Sequence, residues 1–433
     1  MVAFEAPEGQ GGGSPFQGAV IGCEGVTVSG SGLIDSYDSR VGPYQAHVRG
    51  RAAHVKTVAP GAKVTITGAS PIYGSVNSTG AVEATGSARV VGDIHASGLV
   101  ELKANAVYEG DVRTTGNVTV SNTATIHGSV SANGGATFTN VSTVRGDVYA
   151  GSDIRFTNGG KVNGNAAAGG TITQVGWTQN VLGRVGERAG PVNNLPVEPE
   201  ECDPVDVAGL ISSYSHVPTN PAMNVNQWPY WTWELNPAGV RQQHTDSKSW
   251  RDAPDYTTHS VELFGQEATL IRTSSVKVSS SGALRVSGGH VVLLVDGDFE
   301  YLGGGSGWVV DEGSSLTILV KGKVHVGSSQ ATRTAGGIPP INIFSSYRNT
   351  GNNPWNAGVR VSGAGRLDAT IYAPYSDVGV TGSGALYGSV RGRTVSVTGN
   401  GDIHFDEALA ETNMGGGTPV EGGERSVVIL SRR

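Results

Sequence analysis

The 433-residue sequence has few charged side chains, few aromatic side chains and only two cysteines. Charged residues make up 15% of the chain, well below the ~25% of a typical globular protein. A disordered chain would be rich in charge and poor in valine, so this composition argues against disorder. The abundant residues are Gly, Val, Thr, Ser and Asn, and glycine alone fills 66 positions. Such a composition is typical of many short β-strands joined by tight turns.

The sequence also lacks clustered positive charge and long apolar runs. Its 30 Lys and Arg residues are scattered and the net charge is −7. A nucleic-acid-binding surface needs a basic patch, so no nucleic-acid partner is expected. The longest apolar runs have about four to six residues, such as Val291–Val295, whereas a membrane helix needs about 20. No membrane span is therefore expected. No signal peptide is expected either, because Met1–Phe4 leads directly into polar, Gly-rich sequence.

The two cysteines, Cys23 and Cys202, leave two alternatives open. No C-x-x-C or Cys/His ligand spacing occurs, which argues against a structural zinc site. A disulfide between the two would tie the N-terminal segment to the middle of the chain. In a chain-entropy account such a bond is worth about 4–5 kcal/mol. Two unpaired thiols are the other alternative.

The clearest pattern in the sequence is a glycine-led unit of 18 residues that keeps its register without a slip. Its first position is filled by Gly74, Gly92, Gly110, Gly128, Gly146 and Gly164. The third, ninth, eleventh and seventeenth positions are apolar in nearly every unit, for example Val112, Val118, Val120 and Ile126. Apolar and polar residues alternate within each stretch, as in a β-strand with one buried face.

A unit this short predicts one coil of a parallel β-solenoid. Eighteen residues at ~3.3 Å each give a perimeter near 60 Å, which closes as three short faces. Successive coils then stack at the ~4.8 Å strand spacing, and like residues lie on like. Glycines at the first and seventh positions suit corners that need positive φ or a close backbone approach. The predicted fold class is therefore all-β, a parallel solenoid followed by a second, less regular one.

The segments outside the repeat suggest five parts. Residues 1–50 are interpreted as an N-terminal cap or a first irregular coil, because solenoid ends need covering. The regular solenoid then occupies 51–180, followed by a Pro- and Trp-rich linker over 181–256. Residues 257–410 return to short strands, with Gly297 and Gly322 aligned 25 residues apart, and predict the second solenoid. Residues 411–433 form a tail that is either free or docked as one strand.

Several segments resemble bacterial pilus-assembly proteins of the PilX type and related envelope proteins. The resemblance is carried at the C-terminal end by Ile371–Pro374, Tyr387–Gly392 and Ile403–Leu409. It is also carried by LIDSYDSRVGPY, Leu33–Tyr44, and by CDPVDV, Cys202–Val207. The 18-residue repeat is similar to bactofilin-type polymer-forming solenoids.

The resemblance implies a structural or interaction protein of the bacterial cell envelope or exterior, and no reaction. Its partners would be proteins of the envelope or pilus machinery, with self-association as a further option. The family normally begins with a hydrophobic anchor helix, and no such stretch occurs here. Either the chain has no anchor, or a leading segment is missing from this sequence. No cofactor and no metal are expected.

The sequence carries no motif that anchors an enzymatic reaction. It has no G-x-S-x-G elbow, no P-loop, no H-E-x-x-H and no G-x-G-x-x-G between a strand and a helix. A non-catalytic protein is therefore the main prediction. The alternative is a carbohydrate-binding or carbohydrate-active β-helix protein.

Three polar constellations and one aromatic cluster are the candidate sites. Asp402, His404 and Asp406 share one face of a predicted strand. They form either a metal or acid–base site, or a solvated strand face or capping hydrogen-bond network that closes the last coil. Asp296 and Asp298 share a face as glycosidase carboxylates do, although no basic residue is expected to join them. A third polar group is either a calcium site or simply a capped turn: Asp35, Tyr37 and Asp38. The aromatic cluster either packs over a face or end of the solenoid or binds carbohydrate or a protein partner: Trp228, Tyr230, Trp231 and Trp233.

Overall fold

The computed structural model describes residues 4–5, 14–174, 179–225, 230–303, 307–327, 331–333, 337–349, 356–363, 365–412 and 426–427. Within this part, 36 strands join one sheet that winds as a parallel β-solenoid, as predicted. The repeat positions three, nine, eleven and seventeen point inward and are buried, apart from Ile172 and Gln174 in the last coil. Two columns of small side chains also face inward, at positions five and fifteen, as at Ala132 and Ala124.

The corners of the repeat use glycine and asparagine for different reasons. Glycine at position one lets neighbouring coils approach, since a Cβ on Gly110 would lie 2.5 Å from the carbonyl oxygen of Gly92. The positive φ lies instead at position thirteen, in Ala104, Asn122, Asn140 and Asn158. Asparagine tolerates this left-handed backbone better than most residues with side chains, which explains its recurrence there.

The first wall of the solenoid runs through both halves of the chain. From the end of the repeat downward, its strands are Val185–Gly186, Ala166–Ala168, Val148–Ala150, Val130–Ala132, Val112–Thr114, Ile94–Ala96, Val76–Ser78, Val55–Thr57, Val20–Val28, Ala385–Val397, Arg366–Gly382, Ile341–Ser345, Ser315–Val320, His290–Val295, Gln266–Thr273 and His259–Leu263. All neighbours are parallel except the last pair, which is antiparallel and ends the stack.

The second wall follows the same order of coils. Three long strands turn a corner and supply its middle with their C-terminal halves: Val20–Val28, Ala385–Val397 and Arg366–Gly382. Its other strands are Ile172–Thr173, Ile154–Thr157, Ala136–Thr139, Val118–Val120, Val100–Leu102, Val82–Ala84, Lys63–Ile66, Val359–Gly363, Val324–Gly327, Phe299–Tyr301, Val276–Val278 and Met223–Val225.

The third wall changes character along the column. Around the repeat and just below it, the strands are Lys161–Val162, Thr143–Val144, Thr125–Ile126, Val107–Tyr108, Arg89–Val90, Pro71–Ile72, Ile34–Tyr37 and Asp402–Asp406, followed by the N-terminal halves of Ala385–Val397 and Arg366–Gly382. Further down lies a separate six-stranded sheet of Trp250–Asp252, Gly239–His244, Tyr230–Asn236, Ala283–Val286, Trp308–Val310 and Ala331–Arg333. The remaining elements are the helix Val207–Ser213, the 3-10 helix Glu407–Glu411 and the antiparallel pair Phe4–Glu5 with Ser426–Val427.

The N-terminal segment is an internal coil of the column. We call Val20–Tyr37 the junction coil. On one side Val20 and Val26 pair with Val55 and Val64, in the coil that precedes the first unit of the repeat. On the other side they pair with strand Ala385–Val397 of the C-terminal half, and Ile34 likewise has a partner on each side. Residues 20–37 therefore form an irregular coil inside the column and do not cap an end of it, because both edges of this coil are hydrogen-bonded.

Both halves of the chain therefore form one column with a continuous core. One inward ladder of the first wall has fifteen rungs: Val185, Ala166, Val148, Val130, Val112, Ile94, Val76, Val55, Val20, Val390, Ile371, Ile343, Ile318, Leu293 and Ile271. All but Val185 are buried. At ~4.8 Å per step this ladder is about 70 Å long. The 25-residue spacing predicted in the second half is present where His290–Val295 pairs with Ser315–Val320.

The prediction of a linker over the whole of 181–256 is wrong, because Val185–Gly186, Met223–Val225 and the three strands between Tyr230 and Asp252 pair with other strands of the fold. Only its middle part runs back along the outside of the column. We call residues 190–217 the strap. Asn194 binds Ser131, the carbonyl of Leu195 contacts His95 and Glu200 pairs with Lys56, so the strap descends the repeat from coil to coil. Beyond the junction, the carbonyls of Ser215 and Val217 accept from Arg272 in one of the lowest coils. The strap thereby connects coils in the middle of the repeat with one of the lowest coils of the column.

Candidate functional site

The site with the greatest concentration of buried polar groups lies at the third wall of the junction. Asp35 is paired in register with His404, His404 with Tyr387, and Tyr387 with Asp368. These side chains alternate with the inward residues Ile34, Ile403, Leu386 and Leu367 and so point away from the core. Asp35, His404 and Asp368 are nonetheless buried, because residues 38–50 form a loop with Tyr44 over this face.

A charged hydrogen-bond cluster fills the space under that loop. Nδ1 of His404 lies 2.6 Å from Oδ1 of Asp35, and the hydroxyl of Tyr44 donates to Oδ2 of Asp35 at 2.9 Å. Nε of Arg49 lies 3.6 Å from the same Oδ2. The Tyr44 ring covers the imidazole with 3.9 Å between centroids. Burial and the bond to Asp35 raise the pKa of Tyr44, so its hydroxyl remains a donor.

The three residues predicted on one strand face each bind a different part of the junction. Asp402 accepts the backbone N–H of Leu33 at 2.7 Å, while His404 binds Asp35. Asp406 accepts the backbone N–H groups of Ser39 and Ala408 at 3.0 and 3.2 Å. Asp402, His404 and Asp406 thus hold residues 33–39 to the last C-terminal coil. This is the capping alternative of the sequence analysis, although it joins two coils and does not close an end.

The metal site considered for Asp402, His404 and Asp406 is not supported in the described part of the chain. Among those residues no group of three or more His, Cys, Asp or Glu side chains is placed to hold a metal ion. Nε2 of His404 is 3.9 Å from Oδ2 of Asp402, which is outside bonding distance. The residues considered as calcium ligands also have separate partners. Asp35 faces His404, and Asp38 pairs with Arg40 at 2.8 Å. Tyr37 packs edge-on against Tyr44 and Tyr387.

Replacing Asp35 by alanine is expected to cost about 3–4 kcal/mol of folding free energy, because His404, Tyr44 and Arg49 lose a fully buried carboxylate. Asp38→Ala is the matched control, since Asp38 pairs only with exposed groups and should change stability by less than about 0.5 kcal/mol. Urea unfolding followed by circular dichroism measures both variants. Equal midpoints for Asp35→Ala and Asp38→Ala would contradict the assignment of Asp35 as a junction residue.

The Asp296 and Asp298 pair is built into the coil stack. Asp296 pairs with Arg272 at 2.9 Å and Lys321 at 2.6 Å, so the expectation that no basic residue joins the two carboxylates is wrong. Stacking of neighbouring coils supplies both cations. Burial opposes ionisation of Asp296, but the hydrogen bonds from Arg272 and Lys321 outweigh it and lower its pKa. Asp298 accepts the backbone N–H of Lys323 at 2.8 Å, so each carboxylate supports a contact between coils.

The aromatic cluster divides between core and surface. Trp233 is buried and packs edge-on against Tyr256, 5.2 Å between ring centroids. Tyr230 and Trp231 stay partly exposed on the same strand, and Tyr230 contacts His244. Trp228 lies outside the described residues.

A second junction cluster was not anticipated from the sequence. Arg391 is 2% exposed, and its guanidinium donates to three carbonyl oxygens, those of Pro15 at 3.1 Å, Cys202 at 3.2 Å and Glu201. Tyr372 donates to Asp203 at 2.7 Å, which holds the strap one coil further down. Nothing in the local sequence of Arg391 marks this role, because its acceptors are backbone atoms of distant segments.

All five segments that carry the sequence resemblance converge on this junction. Leu33–Tyr44 supplies the junction coil and its loop, and Ile403–Leu409 supplies the facing strand. Tyr387–Gly392 supplies the ring beneath Tyr44 and the buried guanidinium of Arg391. Ile371–Pro374 and Cys202–Val207 meet where Tyr372 binds Asp203. Segments that are separated by up to several hundred residues thus form a single structural unit.

Comparison with known proteins adds one finding. Residues 256–412 match the family model described as Domain of unknown function (DUF7305), which is just over a third of the chain. The match ends at Thr412, immediately after the 3-10 helix that follows His404 and Asp406. No curated protein and no solved structure matches the chain. Among the described residues, no helix is both long and apolar enough to cross a membrane.

Proposed function

We propose that this protein is a non-enzymatic structural or interaction protein of the bacterial cell envelope, associated with type IV pilus-like assembly or surface scaffolding. The observation that carries the proposal is the inward ladder of fifteen rungs, which crosses the junction between the two halves of the chain without a break. A protein whose coils bond to one another along about 70 Å is suited to act as a stiff spacer.

The geometry supports a mechanical mode of action. Each coil is hydrogen-bonded to the coils above and below it, and the strap connects coils that are far apart along the column. The polar side chains that sequence patterns single out as catalytic are engaged in contacts between coils. Partners would then dock on the outward faces or the ends, and self-association at an end is one such mode.

The envelope and pilus part of the proposal rests on the resemblance. The five resembling segments form the junction, and this is the region where an altered sequence would break the column. Proteins that share these segments would share the junction, even if the repeat coils stacked on it differ. The regular repeat would then act as an extension that sets the distance between the junction and the far end.

The proposal is tested in the bacterium that encodes the protein. We expect the protein to fractionate with the envelope or the exterior, and deletion of its gene to reduce surface fibres counted by electron microscopy. Complementation with the wild-type gene should restore the fibres, and complementation with an Asp35→Ala gene should restore fewer at equal expression. A cytosolic protein whose deletion leaves the fibre count unchanged would contradict the proposal, as would hydrolysis of a polysaccharide by the purified chain.

A second candidate function is carbohydrate binding, and the observation that favours it is the partial exposure of Tyr230 and Trp231 on one strand. Aromatic rings at a surface can stack on sugar rings. A glycan array with the wild type and Trp231→Ala tests this candidate. Binding that is lost in Trp231→Ala, with an unchanged circular dichroism spectrum, would support carbohydrate recognition. An array without signal would leave the scaffold proposal as the account of the chain.

A further inference from the structure

The two cysteines of the chain, 179 positions apart, meet at the junction. Cys23 lies in strand Val20–Val28 of the junction coil, and Cys202 lies on the strap. The thiol of Cys23 donates to the carbonyl oxygen of Cys202 with 3.7 Å between sulfur and oxygen. Cys202 packs against a small apolar cluster made of Ile21, Cys23 and Val58, and both cysteines are free thiols.

The backbone on both sides of this contact is fixed. On the side of Cys23, its carbonyl accepts from Ala59 at 2.9 Å, so the residue is held in the ladder between coils. On the side of Cys202, the strap is held by the bond from the Glu200 backbone N–H to the Val58 carbonyl at 3.0 Å. Arg391 holds the Cys202 carbonyl from the neighbouring coil. The two cysteines are therefore held beside each other in the folded protein, with the sulfur of Cys23 against the backbone of Cys202.

We propose that Cys23 and Cys202 form an intramolecular disulfide that fastens the strap to the junction coil when the protein meets a low-molecular-weight or protein disulfide as oxidant. This inference is independent of the proposed scaffold function. The thiolate of Cys202 attacks the oxidant disulfide, forms a mixed disulfide and releases one thiolate of the oxidant. The thiolate of Cys23 then attacks the Cys202 sulfur, forms the Cys23–Cys202 bond and releases the second thiolate. The two protons lost by the cysteines end on the two released thiols.

The order of these steps follows from exposure and charge. Cys202 is partly exposed, whereas Cys23 is 1% exposed and out of reach of a bulky oxidant. The adjacent thiol of Cys23 lowers the pKa of Cys202, and the positive charge of Arg391 acts in the same direction. The bond to Cys202 and burial raise the pKa of Cys23. Cys202 is therefore the attacking thiol and Cys23 the resolving one.

The bond would change how firmly the strap is held. In the reduced protein, residues 198–202 are fixed by hydrogen bonds and by the ion pair between Lys56 and Glu200. A disulfide would add a covalent tie across a loop of 179 positions, which constrains the unfolded chain. An oxidising environment would then give a more stable column than a reducing one.

The experiment uses the full-length protein, incubated with oxidised glutathione, acid-quenched, denatured and alkylated with iodoacetamide. Intact mass and peptide mapping should show a wild-type chain with no alkylated cysteine and one cross-linked peptide joining Cys23 to Cys202. Cys23→Ser should retain a glutathione adduct on Cys202, because the resolving thiol is absent. Cys202→Ser should show an alkylated Cys23 without adduct.

Two outcomes would overturn the proposal. One is a wild-type chain in which both cysteines are alkylated after the oxidant treatment. The other is a glutathione adduct that persists on Cys202 of the wild type, which would mean that Cys23 cannot resolve it. Because both readouts are taken on the wild-type protein, a folding defect in either serine variant does not affect them.

Discussion

Substitution of Val20 by aspartate is expected to destabilise the whole column by about 4–5 kcal/mol, among the largest effects of any single replacement in this chain. Val20 is fully buried and lies between Val390 on one side and Val55 on the other. A carboxylate there has no hydrogen-bond partner on either neighbouring rung, and its burial breaks the core at the point where the two halves meet. Thermal and urea unfolding monitored by circular dichroism measure the loss.

The matched control is Val41→Asp, the same replacement in the loop that follows the junction coil. Val41 is 88% exposed, so its substitution should leave the unfolding midpoint within about 0.5 kcal/mol of the wild type. A Val20→Asp protein as stable as Val41→Asp would mean that residue 20 is not in the core.

Replacement of Arg391 by methionine is expected to cost about 2–4 kcal/mol and to loosen the strap. Methionine retains most of the apolar contacts of the side chain but removes the guanidinium that donates to the carbonyls of Pro15, Glu201 and Cys202. The strap contains Glu198, Glu200 and Glu201, so limited proteolysis with a glutamate-specific protease reports its release. We expect faster cleavage within 198–201 than in the wild type.

Two further variants make the Arg391 result specific. Arg113→Met removes an exposed guanidinium that pairs only with Asp111, and should change neither stability nor cleavage rate. Arg391→Lys keeps the charge but has one ammonium for three divergent acceptors. Its stability and its cleavage rate should therefore lie between those of the wild type and Arg391→Met. Cleavage of Arg391→Met at the wild-type rate would contradict the role of Arg391 in holding the strap.

The periodic part of the fold is predictable from the sequence because each coil contacts its nearest neighbours in the chain. The apolar columns at Val112, Val118, Val120 and Ile126 fix which residues face inward, and the repeat length fixes the register. The 25-residue spacing of Gly297 and Gly322 gives the register of two later coils for the same reason.

The order of coils at the junction is not predictable in that way. A strand edge in a parallel stack accepts any strand of suitable pattern, so Val20–Val28 fits an end as well as an interior position. The contacts that place it in the interior, such as Leu33 with Asp402, join residues 369 positions apart. They depend on single hydrogen bonds and leave no period in the sequence.

The candidate site was predictable only in pieces. Asp402, His404 and Asp406 stand out by their spacing on one strand, and Asp35 stands out in a separate acidic turn. Neither pattern contains the other, so the Asp35–His404 pair emerges only when the coils are stacked. The role of Arg391 in holding the strap has no periodic signal in the sequence, because its guanidinium binds backbone carbonyls of distant segments.

The most direct test of the continuous column is a disulfide engineered across the junction. Thr27 and Ser396 are in-register neighbours on adjacent strands and both are partly exposed. Their Cα atoms should lie about 4.8 Å apart, within the range of about 4.4–6.8 Å that a disulfide spans. Thr27→Cys with Ser396→Cys, in a chain whose native cysteines are serines, is predicted to cross-link under mild oxidation.

Two further cysteine pairs serve as the positive and the negative control for that measurement. Thr27→Cys with Thr65→Cys joins the junction coil to the coil that precedes the first unit of the repeat and should cross-link equally well. Thr27→Cys with Thr119→Cys is four coils apart, about 19 Å, and should not. If the pair at 27 and 396 forms its bond as readily as the pair at 27 and 65, the two halves of the chain are one column. If the pair at 27 and 396 stays reduced while the pair at 27 and 65 is oxidised, the two halves of the chain do not form a continuous column.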